Sequence, residues 1–145
     1  MKFLDANIFI YAYYKPKRQL TQKEKLMKEY AQQIVSGVSQ GKEEVLTTVV
    51  HLSETVNVLK HGMSLERLTT VILGLFMLDN VKIEGISREA YFAATELGED
   101  VKLDPNDALA IDVMRLNNVG EIYSFDEDFE KIEGITRLPK LETDY

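Results

Sequence analysis

The sequence has 145 residues, enough for one domain with a sizeable core and too few for two. Its net charge of -7 argues against a protein that holds nucleic acid over a broad basic surface. Because it has no cysteine and no apolar run approaching the roughly 20 residues that span a bilayer, we expect a cytoplasmic protein with no disulfide, thiolate metal site or membrane partner.

Short apolar runs alternate with segments of helical periodicity along the whole chain. In order, the sequence predicts a short central strand ending at Leu4, a helix from about Ala6, a helix capped by Thr21 and Glu24, a strand over 44–48, helices over 49–60 and 65–78, a strand over 81–84, helices from Ser87 to about Leu97 and from Asp104 to about Leu116, a strand over 121–125, a helical turn over 126–132 and a strand over 135–138. Residues 8–14 would suit a strand as well as a helix. Since no hairpin signal separates the strands, we expect a mainly parallel sheet covered by helices on both faces, an α/β/α sandwich.

Two of the predicted helices carry expectations about burial. The helix over 65–78 is apolar along most of its length, so we expect it to be largely buried. In the helix over 49–60, Val49, Leu52, Val56 and Leu59 are the expected core stripe.

Acidic residues recur where predicted strands end. Asp5 follows the first strand, Asp126 follows the strand over 121–125, and Asp107 lies in the first turn of a helix. All three are expected at the edge of the sheet where open α/β folds bind ligands. Glu54 is a fourth candidate, because its neighbours four residues away on either side are Val50 and Val58, which is unusual for a solvated helix face.

Each acid also has an ordinary structural explanation. Asp5, Asp107 and Asp126 are suited to helix N-termini, where capping and the helix dipole contribute about 0.5 to 2 kcal/mol. Glu54 is suited to an exposed surface. If the acids converge, however, two carboxylates about 4 Å apart repel by roughly 4 kcal/mol at an effective dielectric of 20. Such a cluster requires protons or cations, and Mg²⁺ or Mn²⁺ suits an all-oxygen site.

Four stretches in this order resemble the signature stretches of the PIN-domain ribonucleases. They are Asp5-Ala6-Asn7, Ser53-Glu54, Asp107-Ala108-Leu109-Ala110 and Ser124-Phe125-Asp126-Glu127-Asp128-Phe129. In size and layout the chain is most similar to the single-domain prokaryotic members that act as toxins of the VapC type.

The resemblance implies a metal-dependent ribonuclease that leaves 5′-phosphate and 3′-hydroxyl ends. It implies a homodimer and an antitoxin protein whose C-terminal arm enters the acidic cleft. It also implies a set of site residues, which are the catalytic metal ligands Asp5, Glu54, Asp107 and Asp126 and the supporting residues Asn7 and Asp128. The chemistry needs no nucleophilic side chain, since the ion supplies an activated water and neutralises the phosphate charge.

A basic stretch over 15–28 offers contacts for an RNA backbone despite the acidic total. We expect Lys15, Lys17 and Arg18 to bind RNA, although such runs are usually solvated helix faces. The tyrosines at 11, 13 and 14 are candidates for base stacking, with at least one expected in the core. His51 and His61 lie ten residues apart, which is not a zinc spacing, so both are interpreted as structural.

Two other functions remain open at this point. One is a PIN-like domain that binds RNA or protein without cleaving anything, which a complete acidic set disfavours. The other is a magnesium-dependent phosphotransfer or phosphatase domain. Asp5-Ala6-Asn7 lacks the second aspartate of a haloacid-dehalogenase nucleophile motif, and the adjacent acidic pair of a response-regulator receiver is absent.

Overall fold

The structure, a computed structural model, describes residues 1–141. Its elements are β1 (Lys2–Leu4), α1 (Ala6–Tyr13), α2 (Gln22–Ser39), β2 (Val45–Thr48), α3 (Val49–Leu59), α4 (Leu65–Phe76), β3 (Val81–Glu84), α5 (Arg88–Val101), α6 (Pro105–Leu116), β4 (Glu121–Tyr123), a 3₁₀ turn (Glu127–Lys131) and β5 (Thr136–Leu138). Residues 6–13 are therefore helical, which resolves the ambiguity between helix and strand. No helix in this part of the chain has the length and apolar character needed to cross a bilayer.

The strands form one parallel sheet in the order β3-β2-β1-β4-β5. This confirms β1 as the central strand. The chain moves outward from β1 through β2 to β3 and then returns to the other side of β1 with β4. Strand order reverses between β1 and β4, and in open α/β sheets the crevice beyond the carboxyl ends at such a reversal is where ligands bind.

Successive residues of β1 anchor two cores on opposite faces of the sheet. Phe3 packs with residues of α5 and α6, whereas Leu4 packs with residues of α1, α2 and α4. Both side chains are fully buried. Alternation along a strand sends neighbouring side chains to opposite faces, so the two residues confirm the three-layer α/β/α arrangement.

The predicted helix starts are confirmed by side-chain caps. Thr21 and Glu24 form a reciprocal capping box at α2. The hydroxyls of Thr48, Ser64 and Ser87 and the carboxylate of Asp104 accept hydrogen bonds from the first turns of α3, α4, α5 and α6, respectively.

The prediction that α4 is largely buried is wrong. Only Leu68 and Leu75 of this helix are buried, whereas Leu73 is 59% exposed and Phe76 is 55% exposed. The helix lies beside β3, the edge strand, where the sheet covers only one side of it. An apolar helix at an edge keeps part of its apolar surface in contact with solvent.

The expected core stripe of α3 is also partly wrong. Val49 is 40% exposed, and the buried residues are His51, Leu52, Thr55 and Leu59. Two polar residues are tolerated inside because their groups are paired. The Thr55 hydroxyl donates to the backbone oxygen of His51 at 2.9 Å, and the His51 ring has partners on both nitrogens.

The helix expected to end near Leu97 continues to Val101. Gly98 lies within this helix, and a Cβ at this position would stand 2.6 Å from the backbone oxygen of Leu103 and 3.4 Å from the Cβ of Ala108. The glycine therefore permits α5 to approach the start of α6, which carries Asp107. The helix ends instead at Lys102, whose φ of 61° is left-handed.

Candidate metal centre

Asp5 lies at the reversal point of the sheet, directly after β1. Its backbone N–H donates to the oxygen of Tyr123 at 3.0 Å, so the ends of β1 and β4 are joined there. The carboxylate is 4% exposed and accepts hydrogen bonds from Ala6 N at 2.9 Å and from the Ser124 hydroxyl at 2.7 Å. Burial raises the pKa of Asp5 to about 7 against these bonds, and the charges of Glu54 and Asp126 raise it further.

Ser124 connects three of the predicted site residues and was missed as a site residue. Its hydroxyl is buried, donates to Asp5 and accepts hydrogen bonds from the side-chain amide of Asn7 at 3.2 Å and from Asp126 N at 3.0 Å. The available signal was a serine two residues before an acid at a strand end, a position suited to hydroxyl-to-backbone bonds. Asn7 closes the arrangement by accepting from Phe125 N at 3.3 Å, which fits the supporting role expected of it.

We expect Ser124→Ala to lower the free energy of unfolding by about 1–3 kcal/mol, because it leaves a buried carboxylate without its hydroxyl donor and an amide without its acceptor. Urea unfolding at pH 8 measures the change. Ser124→Thr keeps the hydroxyl and is the matched control. An alanine variant as stable as the parent protein would contradict a central role for this hydroxyl.

Asp107 interacts with three other acids at the centre, including Asp126. Burial raises the pKa of Asp107 to about 9, and the charges of Asp5, Asp104 and Asp126 and a hydrogen bond to Asp126 act in the same direction. The Asp107 carboxyl is therefore stabilised in its protonated form, which donates a hydrogen bond to Asp126. Asp126 also accepts from Asp128 N at 2.9 Å, so it caps the 3₁₀ turn as the structural explanation proposed.

Glu54 lies at the edge of this group and is held by a residue that sequence reasoning overlooked. The side-chain amide of Asn106 donates to Glu54 Oε1 at 2.8 Å, and burial raises the pKa of the Glu54 carboxyl. Glu54 in turn raises the pKa of Asp5, so it is within electrostatic range of the centre. Asp104, predicted only as a cap, adds a further negative charge that acts on both Glu54 and Asp107.

His51 fixes the start of α6 against α3. Its Nε2–H donates to the backbone oxygen of Asn106 at 3.1 Å, so Nδ1 is the acceptor for the Thr48 hydroxyl at 2.7 Å. Burial lowers the pKa of His51 to about 4. The neutral ring is thus a structural link, as expected, between the two helices that carry Glu54 and Asp107.

Carboxylate oxygens are suitable ligands for a hard divalent cation, although those of this centre do not form a complete coordination shell. Within residues 1–141, no group of three or more His, Asp or Glu side chains stands close enough to coordinate one ion directly. Mg²⁺ commonly keeps several waters and binds proteins through one or two carboxylates. Burial and neighbouring charges raise the pKa values of Asp5 and Asp107, and a cation would offset both effects, so the donor set fits such an ion.

The other predicted residues lie farther from this arrangement or have other partners. The Asp128 carboxylate is exposed and pairs with Lys131 at 3.0 Å. Lys15 and Lys17 are exposed beyond the end of α1, and Arg18 forms an ion pair with Glu24 at 2.6 Å. The supporting role of Asp128 and the RNA-binding role of the three basic residues therefore stay predictions.

Two lysines within the basic stretch have distinct positions. Lys28 donates to the backbone oxygens of Tyr11 at 3.0 Å and Tyr14 at 2.8 Å, so it stabilises the C-terminal end of α1. Lys23 instead lines a cleft of about 430 Å³ together with Asp126. Of the basic residues in this stretch, Lys23 is therefore the one placed beside the acidic centre, which the sequence did not indicate.

Comparison with known proteins gives a family match and several similar structures. The sequence model of the PIN domain matches residues 2–135. No curated protein sequence matches the chain.

The similar structures are bacterial toxins and toxin complexes. VapC20 of Mycobacterium tuberculosis, described as a toxin that cleaves the sarcin-ricin loop, has a TM-score of 0.67 and 19% identity over 90% of this chain and 93% of that one. A toxin-antitoxin complex from Klebsiella pneumoniae has a TM-score of 0.64 and 17% identity, with 94% and 96% covered. VapBC2 of Rickettsia felis, bound to a DNA fragment from its promoter, has a TM-score of 0.60 and 15% identity, also with 94% and 96% covered.

Identities this low establish a shared fold and nothing finer. The family match, in contrast, spans almost all of the described chain, from β1 to the residue before β5, and includes every acid of the centre. This chain belongs to the PIN domain family.

Proposed function

We propose that the chain is a ribonuclease that hydrolyses RNA phosphodiester bonds with Mg²⁺ or Mn²⁺ as cofactor. The observation that carries this proposal is the meeting of Asp5, Asp107 and Asp126 at the reversal point of the sheet, where two of the three have strongly raised pKa values. A group that only stabilised helix N-termini would not need to bring these charges together. A cation offsets their repulsion and suits phosphodiester chemistry.

The residues of the centre have separable roles in this proposal. Asp5, Asp107 and Asp126 would hold the ion partly through its bound waters, and Glu54 would contribute from the margin of the group. When bound, the ion supplies an activated water and neutralises charge on the phosphate. Ser124 keeps the Asp5 carboxylate in a single orientation, a supporting contact of the kind whose loss typically costs about 10–100-fold in metal affinity or activity.

The experiment is a cleavage assay on mixed single-stranded RNA with the purified protein, with Mn²⁺ and with EDTA. Cleavage that depends on the metal and leaves 5′-phosphate ends supports the proposal. Binding of RNA without cleavage would favour the silent binding module instead. Cleavage that persists in EDTA would contradict the metal centre.

We also propose that the chain is the toxin of a toxin-antitoxin pair acting in the cytoplasm, where its RNA substrate is found. The similarity to a toxin-antitoxin complex and to VapBC2 over more than nine-tenths of the chain supports this role. Expression of the chain alone should arrest growth, and co-expression of the partner antitoxin should relieve the arrest. Unaffected growth in cells that express a protein with proven RNA cleavage would contradict the toxin role.

The exposed apolar face of α4 supports a homodimer. Its large exposed side chains, with exposures from 55% to 82%, are Leu65, Leu73, Phe76 and Met77. We expect Leu73→Glu to convert a dimer to a monomer, because a charge at the centre of an apolar contact is desolvated without a partner. Light scattering after gel filtration measures the mass. The same charge at exposed Gln33 on α2 is the control, and a monomeric parent protein would contradict the proposal.

A further inference from the structure

A second cleft opens on the Glu54 side of the acidic centre. It has a volume of about 340 Å³ and lies between α3, α5 and the start of α6. Apart from Glu54 itself, it is lined by Val49, Val50, Ser53, Asn57, Tyr91 and Asn106. None of the roles assigned above uses this space.

The cleft combines an aromatic wall with an aliphatic one. Val49, on the first turn of α3, is 40% exposed, and Tyr91, on α5, is 36% exposed. Val49, Ser53 and Asn57 follow one another at four-residue spacing, so they line one strip of the helix. A flat ring inserted here would contact apolar surface on both sides, the arrangement by which proteins stack unpaired bases.

The ring of Tyr91 is tied to the acidic centre. Its hydroxyl donates to Asn106 Oδ1 at 2.5 Å, and the amide of Asn106 donates to Glu54 Oε1 at 2.8 Å. The wall is therefore held in position before a ligand arrives, which reduces the entropic cost of binding. It also places the cleft next to a proposed metal ligand.

Two polar side chains in the cleft remain available for a ligand. Ser53 and Asn57 are exposed and make no side-chain hydrogen bond to any residue within 1–141. The Asn106 amide, in contrast, is already engaged by Glu54 and Tyr91. An asparagine amide presents an acceptor and two donors in a plane, which pairs with the edge of a nucleobase.

The charge of the cleft selects which part of an RNA strand fits. No lysine or arginine among the described residues lines it, and Glu54 forms part of its wall. A phosphate would be repelled there, whereas a neutral base would not. We propose that this cleft binds one nucleobase of single-stranded RNA adjacent to the cleaved phosphate, stacked between Tyr91 and Val49 and read by Asn57. The inference rests on the ribonuclease function proposed above.

Binding is tested separately from cleavage by NMR titration of the metal-free protein, in EDTA, with each of the four ribonucleosides, which carry the base without a phosphate that the cleft would repel. We expect shifts at the Val49 and Val50 methyls and the Tyr91 ring, with at least one base binding more tightly than the others. The methyls of Leu73 on α4 are the internal control. The proposal would be overturned if Val49, Val50 and Tyr91 showed no chemical-shift change, or if the Leu73 methyls shifted as much as these residues do.

Cleavage mapping on randomised RNA provides the second test. Asn57→Ala should weaken the base preference at one position beside the cleaved bond by about 5-fold or more. Tyr91→Leu should weaken RNA binding there, whereas Tyr91→Phe, which keeps the ring, should retain stacking. Phe92→Leu is the matched control, because Phe92 neighbours Tyr91, is 64% exposed and does not line the cleft.

The outcomes separate the two proposals. If the parent protein cleaves RNA and Asn57→Ala and Tyr91→Leu leave the preference unchanged, the base site is wrong and the ribonuclease stands. If the parent protein cleaves no RNA, the proposed function fails, and the ribonucleoside titration alone decides whether the cleft binds bases.

Discussion

Replacing Asp107 with asparagine is expected to reduce RNA cleavage by more than about 100-fold, while the metal-free protein remains as stable as the parent or becomes more stable. Loss of a residue that merely supports a metal ligand typically costs about 10–100-fold, so loss of a ligand costs more. We expect stability to be retained because the introduced amide can donate to Asp126, as the protonated Asp107 carboxyl does in the parent protein. The substitution also removes a charge that Asp5 and Asp104 repel.

The measurements are the cleavage rate with Mn²⁺ and the free energy of unfolding in EDTA at pH 8. Asp112→Asn is the matched control, since Asp112 lies on the same helix and takes no part in the electrostatics of the centre. Activity retained together with a marked loss of stability would mean that Asp107 is only a helix-start acid. That result would remove the main argument for a metal centre at this position.

Raising the pH from about 7 to about 9 is expected to destabilise the metal-free protein, and Mn²⁺ is expected to reverse the loss. The native pKa values of Asp5 and Asp107, about 7 and about 9, lie above the ordinary value of 3.8. The folded protein thus holds protons that the unfolded chain has released. Their stabilising contribution is complete below about pH 4 and is lost as the pH rises through the native pKa values.

The window above pH 7 isolates these carboxyl groups. His51 has a native pKa of about 4, below its ordinary value of 6.5. Its contribution to the free energy of unfolding therefore changes with pH only below about pH 7. Protons and metal compete for the same oxygens, so the stabilisation by Mn²⁺ should grow with pH. At 100 times its dissociation constant an ion adds about 2.7 kcal/mol. In a domain of this size that corresponds to roughly 5–10 °C in Tm.

Melting temperatures at pH 6, 7, 8 and 9, in EDTA and in millimolar Mn²⁺, measure both effects. The Asp107→Asn variant should show a flatter pH dependence and a smaller response to metal. A parent protein whose Tm is unchanged by Mn²⁺ throughout this range would contradict the proposed centre.

The positions of the acids in the candidate site were readable from local sequence, because local rules place these acids at strand ends and helix starts. Asp5 directly follows the short apolar strand near the N-terminus. Asp107 lies in the first turn of a helix that begins with a proline. The partners that orient these acids were not readable. Ser124 is 119 residues from Asp5, and Asn106 is 52 residues from Glu54, so their hydrogen bonds depend on how distant segments meet.

The two wrong burial predictions have the same origin. Periodicity shows that α4 is apolar and that α3 has a preferred face, but it does not show what covers each face. Leu73 is exposed because α4 lies at the edge of the sheet, and Thr55 is buried because a backbone oxygen is within reach of its hydroxyl.

The sequence by itself determined the order and type of the elements, the helix caps and the identity of the acids at the strand ends. These features follow from hydrogen bonds and side-chain periodicity within a few residues. Only the tertiary structure decided that the charge of Asp126 acts on Asp5 and Asp107 and raises their pKa values, and that a cleft opens beside Glu54. The first depends on the reversal of strand order at β1, which brings Asp5 beside residues more than a hundred positions away in the chain, and the second depends on how α3, α5 and the start of α6 pack together.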